Sequence, residues 1–157
     1  MDINSYDSTV AAVVLWREAR GVTSIQRTGA YRGIMHVILN RIADPRWPDT
    51  IRDVVFQPYQ FSSFNFTWDK VGKKMTCDPN AVKWPQERNA GEWPAFLEAC
   101  AVVNDPGSDP TGGANHYHDT SIDPPYKAWL GAGATLAELE KCRTARIGPL
   151  VFYRILR

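Results

Sequence analysis

Long apolar runs are missing from this chain. The longest, residues 10–16, is seven residues against the ~20 that a membrane-crossing helix needs, so no membrane insertion is expected. Cysteine is scarce too: Cys77, Cys100 and Cys142 form an odd set with no C-x-x-C pair, which argues against a disulfide framework and against a zinc knuckle. Nor does charge of one sign dominate. Eighteen Lys and Arg against seventeen Asp and Glu leave a formal net charge of +1, so the chain as a whole carries no electrostatic footprint for nucleic acid. A local basic excess occurs from Lys141 onward, where Arg143, Arg146, Arg154 and Arg157 follow without an acid, and a solvated face accounts for it. The first seven residues are polar and acidic where a secretory leader would be basic and then apolar. Synthesis in a reducing cytoplasm is therefore expected, with any work outside it depending on another route out.

What is present is 157 residues, 44% hydrophobic and 22% charged, enough for one domain with its own core over 1–157 and too little for two. Val10, Val13, Val14 and Leu15 supply the buried side of a helix over 8–20, with Ser8 as N-cap and Gly21 as stop. Tyr31, Ile34, Met35, Ile38, Leu39 and Ile42 recur at helical spacing and predict a second helix over 24–43. Pro45 and Pro48 end it. Thr50 caps a short helix to Phe56 that buries Ile51, Val54 and Val55. From Phe61 the alternation of Phe64, Phe66 and Trp68 with polar residues reads as a strand, and 69–91 as an irregular excursion. A helix over 93–103 with Phe96, Leu97 and Cys100 on one side, a turn-rich loop, a short polar strand over 115–119, a helix over 135–142 and an apolar strand over 149–156 complete the reading. Helices first and short strands later point to an α+β domain.

Three stretches carry candidate chemistry. Glu18 is a lone carboxylate beside Trp16 at the C-terminal end of an apolar helix, where the helix dipole disfavours its charged form, which suits a general acid. Gln60, Phe61 and Ser62 follow a turn and mix amide, ring and hydroxyl, the surface chemistry of a carbohydrate groove. In the third, Gly112 and Gly113 precede Ala114, Asn115, His116, Tyr117 and His118. His116 and His118, two apart on a strand, face one way and offer either a zinc pair, with Asp119 or a distant glutamate as third ligand, or hydrogen bonds in a polar cleft. A serine-hydrolase elbow and a P-loop are absent, and residues 131–135 lack the spacing of a dinucleotide site. Cys100 reads as inert core.

Taken in order, Trp16-Arg17-Glu18-Ala19-Arg20-Gly21, His36-Val37-Ile38-Leu39-Asn40-Arg41, the stretch from Pro45 to Ile51, Val54 to Ser62, Gly113 to His118, Ile147-Gly148 and Val151 to Arg154 resemble the SleB-like family of spore cortex-lytic and cell-wall hydrolases. The resemblance runs from about residue 10 to the end, with 67–90 contributing nothing. It implies a compact lysozyme-like domain with a helical lobe and a small antiparallel β lobe, acting on the glycan strands of peptidoglycan at the MurNAc–GlcNAc bond. It implies Glu18 as the catalytic residue and Gln60, Phe61, Ser62, Ala114, Asn115 and Tyr117 along the groove, with Tyr153 as a further candidate. Val22, Tyr59 and Leu150 depart from the usual pattern, where a glutamate, a glycine and a histidine are common.

A glycoside hydrolase needs two carboxylates about 5 to 9.5 Å apart, and apart from Asp49 in the proline-flanked turn the matched motifs contain only Glu18. A lytic transglycosylase, in which the sugar's own hydroxyl attacks and leaves a 1,6-anhydro end, needs only one acid/base and is the expected mechanism, without cofactor or metal. A muramidase-type hydrolase, a zinc amidase or peptidase built on His116 and His118, and a non-catalytic glycan-binding module stay open. A monomer released onto the wall as a phage or prophage endolysin is the expected setting.

Overall fold

The computed structural model describes residues 5–57, 60–61, 66–69, 71, 74–77, 84–86, 89 and 91–156. Its centre is α1 (Ser5–Glu18), in which every residue from Val10 to Trp16 is buried. A helix that is apolar all round must be enclosed all round. Here α2 (Ser24–Ile42), α3 (Ile51–Val55) and α4 (Glu92–Asn104) pack against it. The seven-residue apolar run is thus the middle of the helical lobe. The helix begins at Ser5, three residues ahead of the expected cap at Ser8. Asp7 sits favourably in its first turn against the dipole, and its carboxylate pairs with Arg52 Nε of α3 at 3.1 Å.

The expected α2 is present within one residue, ending at Ile42 with Ala43 as cap. Ile34, Met35 and Ile38 are fully buried, whereas Leu39 and Ile42 only pack against the core from its margin. Thr50 caps α3 as expected, its hydroxyl accepting from Asp53 N at 3.2 Å. In α4 the face is turned from the expected one: Ala95, Ala99, Val102 and Val103 are buried and Leu97 is 50% exposed. Small alanines let α4 lie close to α1, and the larger Leu97 falls outside that close approach.

Two antiparallel sheets follow. β1 (Phe66–Asp69) pairs with β2 (Lys74–Cys77), so the stretch read as irregular contains a strand of its own. Phe64 lies outside the described residues. The second sheet has the order β3 (His116–Asp119), β5 (Leu150–Tyr153), β4 (Arg143–Ile147). All four residues of β5 are buried because it is the central strand. β4 is a largely exposed edge strand that the sequence reading passed over, since an edge facing water shows no apolar alternation. Register Ile147↔Leu150 leaves two residues to turn the chain, and Gly148 meets that need with φ 56°. Between the sheets' strands lie α5 (Tyr126–Leu130), also unexpected, and α6 (Leu136–Lys141). The latter is capped at Thr135 by a reciprocal box with Glu138. The architecture is α+β, with the sheet of β3, β5 and β4 laid against α2.

Cys100 and Cys142 are free thiols, and burial pushes the Cys100 thiol's pKa up, which fits an inert core residue. Lys141, Arg143, Arg146 and Arg154 are exposed, as a solvated basic face requires. Among the described residues no helix is long and apolar enough to cross a membrane.

Candidate active site

Glu18 is the last residue of α1, half-buried where the helix leaves the core. Tyr117 comes from the middle of β3, far along the chain, and its hydroxyl donates to Glu18 Oε2 at 2.7 Å. Burial first, then the charge and hydrogen bond of Glu18, hold the Tyr117 phenol well above its ordinary pKa. It therefore stays a donor at any physiological pH. Phe61 and Phe152 pack on its ring with centroids 6.4 and 5.8 Å away, which fixes the direction of the hydroxyl. Glu18 and Tyr117 line a cavity of about 350 Å³ whose walls include Arg41, Gln60, Asp119 and Trp129. Asp119 is a second carboxylate in the same cavity, its Oδ1 accepting from Ser121 N at 2.8 Å. It stands just past the Gly113–His118 motif, and the sequence offered it only as a zinc ligand, not as a second carboxylate beside Glu18.

Arg41 is the other residue that sequence reasoning quoted without assigning. It lies on the apolar stripe of α2 with Ile34 and Ile38, at spacings of seven and three, and is 3% exposed. A charge on a core stripe was the available signal. Its Nε donates to Asn115 O at 2.7 Å, and its guanidinium sits 4.2 Å from the Trp47 ring centroid and 5.3 Å from that of Phe61. Burial lowers its pKa to about 10, partly opposed by Tyr117. The group remains a cation at neutral pH and puts positive potential at the cavity wall.

The remaining sequence candidates divide. Gln60 lines the cavity and Phe61 is buried behind it, while Ser62 lies outside the described residues. Ala114, Asn115 and Tyr153 are buried within the fold rather than along this cavity. Ala114 O accepts from Asn40 Nδ2 at 2.9 Å. Asn115 extends the β3–β5 ladder with its side chain, Nδ2 donating to Ile155 O at 2.8 Å and Oδ1 accepting from Ile155 N at 2.9 Å. Tyr153 stacks on His118 at 5.6 Å. The Gly112-Gly113 pair carries positive φ at both residues and leads the chain into this anchoring. The two histidines line separate cavities, His118 that of Glu18 and His116 a neighbouring one. Burial lowers the pKa of each, His116 to about 3. Among the described residues no three His, Cys, Asp or Glu side chains come together as a metal-binding set.

A family model described as cell wall hydrolase matches residues 27–153. Glu18 precedes the matched segment, so its place in the site rests on the contact with Tyr117, which lies inside it. Among solved structures, the chain is similar to the catalytic domain of the Bacillus cereus SleB protein, with 20% identity and a TM-score of 0.58 over 98% of this chain and 93% of that one. It is equally similar to the catalytic domain of the germination-specific lytic transglycosylase SleB from Bacillus anthracis, with 20% identity and a TM-score of 0.58 over 96% of each chain. At this identity the likeness speaks for a shared fold. No curated protein matches the chain by sequence.

Proposed function

The chain belongs to the cell wall hydrolase family, enzymes that degrade peptidoglycan, and from that premise we propose that it cuts the glycan strand at the MurNAc–GlcNAc bond as a lytic transglycosylase with Glu18 as its acid/base. The observation that carries the reading is the Tyr117 hydroxyl donating to Glu18 at 2.7 Å inside a cavity. Such a bond, held by a ring packed against Phe61 and Phe152, aims the carboxyl group. The lytic transglycosylase named in the Bacillus anthracis structure has the same fold, which agrees with the reading.

In the proposed reaction the Glu18 carboxyl gives its proton to the glycosidic oxygen as the C1–O bond breaks. The resulting carboxylate then takes the proton of the C6 hydroxyl while that oxygen bonds to C1. Glu18 ends the cycle protonated, and the product ends in 1,6-anhydro-MurNAc. Gln60 holds sugar hydroxyls, and Tyr117 keeps the carboxyl oriented through both steps. Arg41 stabilises negative charge as the leaving oxygen departs, from its place at the cavity wall.

Asp119 favours a second reading. A carboxylate in the same cavity is what an inverting hydrolase uses to activate water. Mass spectrometry of products from purified peptidoglycan separates the two. Anhydro ends, with activity reduced ~10²- to 10⁴-fold in Glu18→Gln and retained in Asp119→Asn, are the expected result. Reducing ends, lost in Asp119→Asn, would transfer the assignment to hydrolysis. Wild-type turnover by a folded Glu18→Gln enzyme would remove both.

A further inference from the structure

Beside the Glu18 cavity lies another of about 630 Å³, and Gln60, Pro125 and Trp129 are walls of both. We propose that this second cavity is a sugar subsite, taking the pyranose ring of the glycan strand next to the one cleaved at Glu18, with Trp47 and Trp129 against the ring and His116 Nε2 accepting one of its hydroxyls. The ring's position relative to the cut rests on the Glu18 reading; the binding chemistry does not.

The acceptor is derived from the hydrogen bonds around it. His116 Nδ1 lies 2.8 Å from Asn115 Oδ1. The Asn115 amide has only one orientation open to it, because its two ends meet the backbone carbonyl and N–H of Ile155, one of which only accepts and the other only donates. The atom facing His116 is therefore the oxygen, and Nδ1 must carry the imidazole proton. Burial, followed by the charges of Arg41 and Arg46, keeps the ring neutral. A neutral ring protonated at Nδ1 has a bare lone pair at Nε2, and no described residue takes it. His116 is a wall of the second cavity, and with Nδ1 turned to Asn115 the free edge of its ring is the one left for a ligand there.

The ring is also held in place. His116 sits 5.6 Å from Trp47 and 4.9 Å from Trp129 by ring centroids, and Trp129 leans on the buried Tyr153 at 5.7 Å. An apolar ligand would strand the lone pair, at a cost. A sugar ring offers both things that the cavity lacks: hydroxyl donors, and a C–H face for an indole. The shared walls make the two cavities consecutive along one cleft, as a polymer of linked rings requires. His116 and Asn115, quoted together in the sequence motif, then have connected roles, with Asn115 setting the tautomer that His116 presents.

The test is a ¹⁵N NMR titration of the Glu18→Gln protein with a GlcNAc–MurNAc tetrasaccharide, which is not turned over in that background. The His116 Nε2 resonance should move upfield on saturation, as a lone pair does when it accepts a proton donor. Trp129→Ala and His116→Phe, each added to Glu18→Gln, should weaken tetrasaccharide binding by about tenfold. An Nε2 resonance unmoved at saturation overturns the subsite. Because the titration changes nothing in the second cavity, it decides the matter even if both further variants misfold. A moved resonance in a protein whose wild type releases no cleaved ends would sink the Glu18 reading and leave the subsite standing. Normal turnover with a silent resonance would do the reverse.

Discussion

Two glycines one turn apart, Gly29 and Gly33, face the sheet from within α2, and replacing each by alanine measures how tightly the two lobes meet. In a helix interior the exchange alone stabilises by about 1 kcal/mol. At Gly33 the new Cβ would stand 2.6 Å from Phe152 Cζ and 3.1 Å from Ile147 Cδ1. Phe152 is fully buried on the central strand, so its ring cannot retreat without disturbing its neighbours. Overpacking of this kind costs about 1–3 kcal/mol, and the shortness of the contact places it in the upper part of that range. Gly33→Ala should therefore lose about 1–2 kcal/mol net of the helix gain. At Gly29 the Cβ meets only Ile147 Cγ2 at 3.3 Å, a methyl on a half-buried side chain that can shift by a few tenths of an ångström. Gly29→Ala should be neutral or gain up to about 1 kcal/mol. For a chain of this size the two variants should differ in Tm by roughly 2–12 °C, read by thermal melts and checked by urea midpoints. Phe152 also packs on the Tyr117 ring that aims Glu18, so Gly33→Ala should slow wall lysis while Gly29→Ala leaves it near wild type. Equal stabilisation by both alanines would refute the reasoning, because it would mean that α2 does not rest on Phe152 at the described distance.

Tyr117→Phe keeps the ring and removes the donor to Glu18, so turnover on peptidoglycan should fall about 10- to 100-fold, the worth of a hydrogen bond to a charged group, and an unchanged rate would deny Tyr117 its aiming role. Ile38→Ala, at a fully buried site, should cost ~2 to 5 kcal/mol by urea unfolding, and the half-buried Leu39→Ala clearly less; the opposite order would mean that α2 is rotated. Asp109 supplies the pH test. Burial works against its charge, but hydrogen bonds from Thr111, Asn40 and the Thr111 and Gly113 backbones outweigh it and hold the carboxyl below its ordinary pKa. Its stabilisation is therefore present above the unfolded-state value and is lost as pH falls through the folded one. Asp109→Asn should be less stable than wild type at neutral pH, with the gap closing in acid. A gap independent of pH would show that the ionised carboxylate contributes nothing.

The helical lobe was legible because its signals are local. Ile34, Met35 and Ile38 sit at a spacing that admits only a helix with one buried face, and Thr50 is a cap whose partner lies three residues on. The motifs likewise marked Glu18, Gln60 and Tyr117 as neighbours of one chemistry. What failed were the places where a face or an edge is set by something distant. Leu97 belongs to an apolar helix, yet the alanines beside it make the closer contact with α1 and leave it in water. β4 is an edge strand whose exposed residues carry no alternation. Ala114 and Asn115 were placed along the groove by the family resemblance alone, and in the structure their hydrogen bonds run to Asn40, Arg41 and Ile155.

By itself, then, the order of residues determined which segments are helical, that the core is built on an enclosed apolar helix, and that one carboxylate ends that helix among sugar-binding residue types. Only the tertiary structure decided that Tyr117 reaches Glu18, that Arg41 and Asp119 share its cavity, and that Asn115 sets the proton on His116. Helical periodicity is written into neighbours three and four positions apart, where chain geometry alone brings side chains together. A hydrogen bond between residues 18 and 117 depends on how α1, α2 and β3 pack as solid bodies, and no local pattern encodes that distance.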